Sequence, residues 1–464
     1  MLGGRIITCF AIAKNWERLK TVPDNEDVAS LYGINGIRFY TIFLVVAVHS
    51  CMVSFTTYST NPEFVETMTG DPLNMIFVNG YYCIQTFFLL SGMVLSYFFF
   101  KTLQKQKTFK ISYIFYAFLI RYVRLTTSVI VVVAFSASWL RHLNRGPLWD
   151  KTVGTEFRNC RRNWWANLLY INNYYDIPHM CLLQSWYLAA DSQLFFLSLI
   201  ILIIVSKFKK FLVHILSLCM VIGVIIPGII TYVNSYDIVI RQYPETLYEL
   251  YANAIEWHAV YVSAHTNIGS YVMGLIAGYI IFKYRGKSIV LQKRYIILWW
   301  ILVWVLPLSI IFLGIPIYRD SFEYSRLGAA VYVALSKNVF VFGICVGILG
   351  ITKGIGWLLR DAVLWSPLQI LGRLTYCLYL VHPTFIRIKA GRNRVKTYMT
   401  PFTFLMDTVE NLLLSYALAL VLCLFVEMPT SALQKLMMSK GKQHHFITEK
   451  MPTATTVKTE DTKI

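Results

Sequence analysis

Arg38 and His49 stand eleven residues apart in the apolar run GIRFYTIFLVVAVHS, which occupies positions 36–50. In an α-helix that spacing turns through about 1100°, three turns and a little more, so both side chains point the same way, roughly 16 Å apart along the axis. A basic group near one membrane face and an imidazole deep inside are costly in a bilayer, which makes both candidate functional groups. A neutral imidazole in a desolvated site takes a proton from a hydroxyl or amine during acyl transfer. Its structural alternative is a hydrogen bond between helices, and spacing alone favours that alternative. Arg38 can hold a phosphate-bearing substrate through paired N–H donors, or can simply snorkel to the interface.

Arg121 and Arg124, in FLIRYVRLTT, share a helix face at i, i+3. Counted from residue 111 at about 1.5 Å per residue, they lie roughly 15–20 Å deep and need an anion or acidic partners. Asp191 in QSWYLAADSQLFF is the obvious partner, with Glu410 and Glu427 as others. His382 ends the run LTYCLYLVHP and reads as a helix-terminal residue ahead of Pro383. Ser91-Gly92 interrupts FFLLSGM, as packing sites and kinks do.

The elements that must carry these groups are membrane helices. Of 464 residues, 56% are hydrophobic and 14% charged, and the mean hydropathy is +0.54, well outside soluble composition. Apolar segments of spanning length lie near 35–56, 75–100, 111–140, 186–205, 211–232, 267–282, 295–315, 327–351, 366–386 and 403–427. The 267–282 segment is the shortest, and its Gly274 and Gly278 form a small-xxx-small step suited to close packing. The expected fold is therefore all-α, with about ten transmembrane helices. Residues 1–32 are expected to be a cytosolic tail, 33–434 the membrane domain and 435–464 a disordered cytosolic tail. His444 and His445 in that last segment read as solvated.

The net charge of +19 reflects basic loops rather than nucleic-acid binding, since no basic-aromatic platform accompanies it. With the N-terminus inside, 24 Lys/Arg fall on inside segments and 14 on outside ones, which places both termini in the cytosol. The basic loop at 387–402 runs against this rule. Six of nine cysteines (Cys51, Cys83, Cys219, Cys345, Cys377 and Cys423) lie in apolar segments and read as small core hydrophobes. Cys160 and Cys181 share one polar loop and can pair as a disulfide if it faces an oxidising compartment. Between them WWANLLYINNYYDIPHMC reads as an aromatic interfacial belt or re-entrant segment. The sequence contains no phosphate loop, no zinc-protease helix and no nucleophile elbow, which removes most support for ATP-driven transport and zinc proteolysis.

Taken together, these motifs resemble the membrane acyltransferase-3 superfamily and, within it, the animal nose-resistant-to-fluoxetine group. Arg38 and His49 match the R-x10-H pair, FFLLSGMVLSY the FF-x-LSG block, and RYVRLTT the R-x-x-R-L-T-P block with Thr127 in place of proline. The stretch from Cys160 through NWWANLLYINNYY and Cys181 to QSWYLAADSQLFF, then GRLTYCLYLVHP and LFVEMP, completes the order over roughly 30–435. The resemblance implies a ten-helix acyl-transfer domain with an acyl-CoA-type donor as co-substrate, no permanently bound cofactor and no metal. It implies His49 as catalytic base, with Arg38 beside it in the catalytic set, and Arg121 and Arg124 holding the donor's phosphates from the cytosol. Asp191, Trp186, Gln193, His382 and Ser91 would order the site. Membrane lipid and the acyl donor are the expected partners, and the acceptor is open.

Two departures accompany the resemblance. The subgroup's K-P-[WY]-x-R-x-x-P-Y run reads SAHTNIGSYVMG here, so Asn267 replaces an arginine, which points to an altered substrate or lost activity. The subgroup also carries an upstream cysteine-rich domain and helix, and this chain begins at about the linker. The alternatives to an acyltransferase are a non-catalytic carrier of lipids or small hydrophobes on the same scaffold, and a receptor-like protein with a degenerate site.

Overall fold

The computed structural model describes residues 2–21, 31, 33–106, 111–242, 244–249, 251–287, 291–319 and 321–437. Thirteen principal helices follow in chain order: α1 (Leu2–Cys9), α2 (Ile12–Lys20), α3 (Ile34–Ser54), α4 (Ile84–Gln106), α5 (Ser112–Ser138), α6 (Thr155–Leu168), α7 (Trp186–Lys207), α8 (Leu212–Asn234), α9 (Ile268–Lys283), α10 (Lys293–Phe312), α11 (Arg326–Thr352), α12 (Thr375–Arg392) and α13 (Pro401–Leu422). No strand forms among the described residues beyond one isolated bridge between Ser59 and Thr397. Among the described residues, eight helical stretches are long and apolar enough to cross a membrane. They contain α3, α4, α5, α7, α8, α10, α11 and α13 in turn; α9 is short and α12 polar at its end. Inside hydrocarbon only helices satisfy every backbone group within one segment, so this composition leaves the chain little else to form.

The expected spans therefore appear as helices, with shifted ends. Near 366–386 the chain makes a short helix, Ser366–Leu371, and then α12, which runs through Pro383 to Arg392. His382 is thus inside a helix rather than at its end. Much of the supposed 387–402 loop is helical, and two of its five basic residues have acidic partners: Arg387 pairs with Glu156, and Lys389 reaches Asp407 at 3.1 Å and also Glu410. Glu410 is thereby taken by Lys389 and is not a partner for the α5 arginines.

The core of the bundle is α4, α7, α9 and α11, while α8 and α10 turn most of their apolar surface outward. The α4–α9 pair is the most extensive helix contact. A Cβ added at Gly274 would stand 2.2 Å from the Leu89 carbonyl oxygen, and one at Gly278 would stand 2.3 Å from that of Met93. The glycine step lets the two backbones touch, and this fixes α4, with Ser91, against α9.

Two segments gain detail. Residues 2–20 form two helices, and α2 is fastened to the bundle. The Arg373 guanidinium donates to the carbonyls of Leu19 at 2.7 Å and Thr21 at 2.8 Å, while the fully buried Asn15 donates to Leu424 O at 3.2 Å. The aromatic 160–181 segment is a helix followed by ordered turns. Tyr170 is buried and its hydroxyl meets Thr126 at 3.2 Å, although Trp164, Tyr174 and Tyr175 remain exposed. Cys160 and Cys181 are bonded, joining α6 to the segment before α7. Beside them Asp176 is enclosed by Asn163, His179 and Arg162. Burial alone would push its carboxyl up, but hydrogen bonds from His179 and Asn163 with the charges of His179 and Arg162 hold it below the usual carboxylate range. His444 and His445, like residues 438–464 as a whole, lie outside the described residues.

Candidate active site

The R-x10-H helix and the last motif helix meet at their histidines. His49 Nδ1 on α3 lies 2.8 Å from His382 Nε2 on α12, with ring centroids 5.0 Å apart. His382 Nδ1 in turn lies 3.0 Å from the carbonyl oxygen of Leu378, one turn back on its own helix. A carbonyl oxygen only accepts, so His382 carries its proton on Nδ1 and presents a lone pair at Nε2. That lone pair requires the proton of His49 on Nδ1. The Nε2 of a neutral His49 is then a free base, selected by two successive hydrogen bonds.

His49 lines a cavity of about 60 Å³ together with Trp186, Tyr261, Tyr379, Gln184 and Gln242. The walls hold each other. Tyr379 donates its hydroxyl to Gln184 O at 2.6 Å, and Gln184 Nε2 donates to Leu380 O at 3.0 Å. The Trp186 and Tyr261 ring centroids are 4.6 Å apart. Among the described residues, no charged side chain lines this cavity.

At the other end of the same helix, Arg38 lies within electrostatic reach of Arg124, Arg121 and Asp191. Arg121 is committed to the protein. It pairs with the buried Asp191, donates to Ser91 Oγ at 3.2 Å, and lies 4.4 Å from the Phe195 ring centroid. Ser91 also meets the Tyr271 hydroxyl at 3.1 Å. Among the described residues, Arg38 and Arg124 make no hydrogen bond or ion pair, so the cluster holds two uncompensated cations. Rings join the two ends: Tyr379 stands 5.8 Å from His382, Tyr187 5.5 Å from Tyr379, and Tyr187 interacts with Arg121 and Asp191. The site is thus an imidazole and a pair of free guanidinium groups, linked by an aromatic corridor beside α3.

The family model of the acyltransferase domain matches residues 31–430 of this chain, most of its length. The chain belongs to the acyltransferase-3 family. It is also 23% identical over 466 aligned residues to Nose resistant to fluoxetine protein 6 of Caenorhabditis elegans, covering 94% of this chain and 55% of that protein. The chain therefore spans about half the length of this curated relative. No solved structure matches it. Family membership and the long apolar helices make the protein a multi-pass membrane protein of the acyltransferase-3 family.

Within this acyltransferase-3 domain the expected residues divide. Arg38, His49, Ser91, Arg121, Arg124, Trp186, Asp191 and His382 gather along the corridor. Gln193 does not: its Nε2 donates to Tyr170 O at 2.8 Å and Asn173 Oδ1 at 2.9 Å, securing the turns that follow α6. Glu427 receives the Cys377 thiol at 3.0 Å and has no cationic partner among the described residues. Asn267 is buried, accepts from Gln85 Nε2 at 2.9 Å and stands 3.1 Å from Lys337 Nζ. A lysine from α11 therefore occupies the neighbourhood of the substituted position. Tyr379, Tyr187 and Gln184 were not singled out by sequence reasoning. They sit inside or beside quoted motifs, but only packing distinguishes them from the surrounding aromatic residues.

Proposed function

We propose that the protein transfers an acyl group from a CoA-type thioester to a hydroxyl or amine acceptor, with His49 as general base. The observation that carries this reading is the directed Nε2 lone pair of His49, in a cavity lined by no charged side chain among the described residues, at the far end of a helix that carries Arg38 near its start with Arg124 close by. The donor's phosphates bind Arg38 and Arg124 at the face carrying the N-terminus, which the basic-residue bias makes cytosolic. Its acyl-bearing arm follows the aromatic corridor. His49 Nε2 takes the acceptor proton as the acceptor oxygen or nitrogen attacks the thioester carbonyl. The tetrahedral intermediate expels the thiolate, which takes the proton back from the imidazolium and leaves as the free thiol. His382 keeps the base in the productive tautomer, and Asp191 with Ser91 fixes Arg121 so that the corridor keeps its shape.

A carrier reading gains from a second cavity of about 800 Å³ between α3, α12 and α13, lined by Lys389, Arg392, Asp407 and Glu410. One comparison separates the two. Protein in nanodiscs is given labelled acyl-CoA, wild type against His49→Ala. Retained donor binding with turnover abolished supports the transferase. Absence of binding and turnover with any acyl donor removes it, and proteoliposome transport indifferent to His49 favours the carrier.

A further inference from the structure

Cys377 on α12, with Cys423 and Glu427 at the end of α13, brings two thiols and a carboxylate together away from the histidine site. One ligand atom from each lies within 4.8 Å of the others, and Cys377 Sγ is 3.0 Å from Glu427 Oε2. Both cysteines are buried and reduced, and Glu427 is half-buried. The geometry points to a structural zinc(II) site of Cys2Glu type, with a water completing the tetrahedron.

Four observations carry this assignment. Zinc–sulfur and zinc–oxygen bonds of about 2.3 and 2.1 Å place tetrahedral ligands about 3.6–3.8 Å apart, so the three atoms need only small rotamer changes to close on one ion. Two thiolates with one carboxylate suit zinc better than the hard divalent cations, which take oxygen, or copper(I), which takes sulfur alone. The chain departs from regular helix here: Cys423–Glu427 is a π-helical turn, which puts both of its ligands on the side of Cys377. Such single turns recur at functional sites. Finally, the half-buried Glu427 carboxylate receives only the Cys377 thiol among the described residues, and a bound cation would supply the counter-charge it lacks. On binding, Cys377 and Cys423 each release a proton, so three negative charges meet zinc's two positive ones.

Asn15 supports the turn from outside by binding Leu424 O, which ties α2 to the same place. The ion would fasten α12 to α13 about 7.5 Å along the axis from His382. Its role is to hold the helix that orients His49.

The test uses the full chain, purified in detergent under argon, loaded with zinc chloride, desalted and assayed for metal by mass spectrometry. One zinc per chain is expected, lost in Cys377→Ser and Cys423→Ser, with weaker retention in Glu427→Gln. Cobalt(II) in place of zinc should give a near-ultraviolet thiolate charge-transfer band. If the serine variants fail to fold, wild-type protein is alkylated with a maleimide, with and without zinc, and mapped by peptide mass. Protection of Cys377 and Cys423, with Cys9, Cys51, Cys83, Cys219 and Cys345 unchanged, supports the site. No retained zinc, a metal content equal in wild type and serine variants, or alkylation indifferent to zinc overturns it.

Discussion

The Nδ1 of His49 and the Nε2 of His382 are 2.8 Å apart, on helices separated by more than 300 residues of sequence. Because Leu378 O accepts from the other nitrogen of His382, this one contact decides which nitrogen of His49 is the base. His49→Ala is expected to lower turnover by about 10²–10⁴-fold. His382→Gln should lower kcat by on the order of 10–100-fold, leave donor KM unchanged, and alter the pH–rate profile, since the base is no longer held in one tautomer. A loss confined to KM would remove the positioning role. Acyl-CoA turnover from pH 5 to 9 measures both.

The three arginines should respond differently. Arg38→Ala and Arg124→Ala remove free cations, so donor KM rises by about ten-fold or more for each lost phosphate contact, with little change in melting temperature. Arg121→Ala leaves Asp191 buried without its partner, which costs about 3–5 kcal/mol of stability. Donor titration and thermal melting of the three variants in parallel separate these effects; equal destabilisation by all three would show that none is a free donor contact.

Gly274→Ala should impair assembly of the bundle. The new methyl group meets backbone at Leu89 rather than a movable side chain, and overpacking of this kind costs about 1–3 kcal/mol. Fluorescence-detected size exclusion after heating reads the loss, and an unchanged midpoint would mean that α4 and α9 are more loosely packed than described.

The 155–185 region should weaken in acid. The Asp176 carboxyl is held below its ordinary range, so its contribution is complete above the unfolded value and is lost as pH falls through the lower folded one. Hydrogen exchange across this segment is expected to accelerate in that acid window and to be flat above it. In Asp176→Asn the acid-dependent step should disappear.

The sequence by itself determined that the chain fills a membrane with helices, because its long apolar runs admit no other backbone solution in hydrocarbon. It also determined the main chemistry-bearing residues: the Arg38–His49 spacing is a property of one helix, and Asp191 was legible as the partner of Arg121 because so few acids share its surroundings. What lay beyond it depended on which helix faces meet. His382 looked like a helix end until α12 continued through Pro383, and its bond to His49 belongs to no local pattern. Asn267 read as a lost cation until α11 brought Lys337 beside it. The unpaired state of Arg38 and Arg124, against the paired state of Arg121, is likewise a matter of packing. Periodicity and burial are encoded within single segments. Contacts between segments far apart in the chain are fixed only when the bundle closes, and those contacts turn a row of separate motifs into one site.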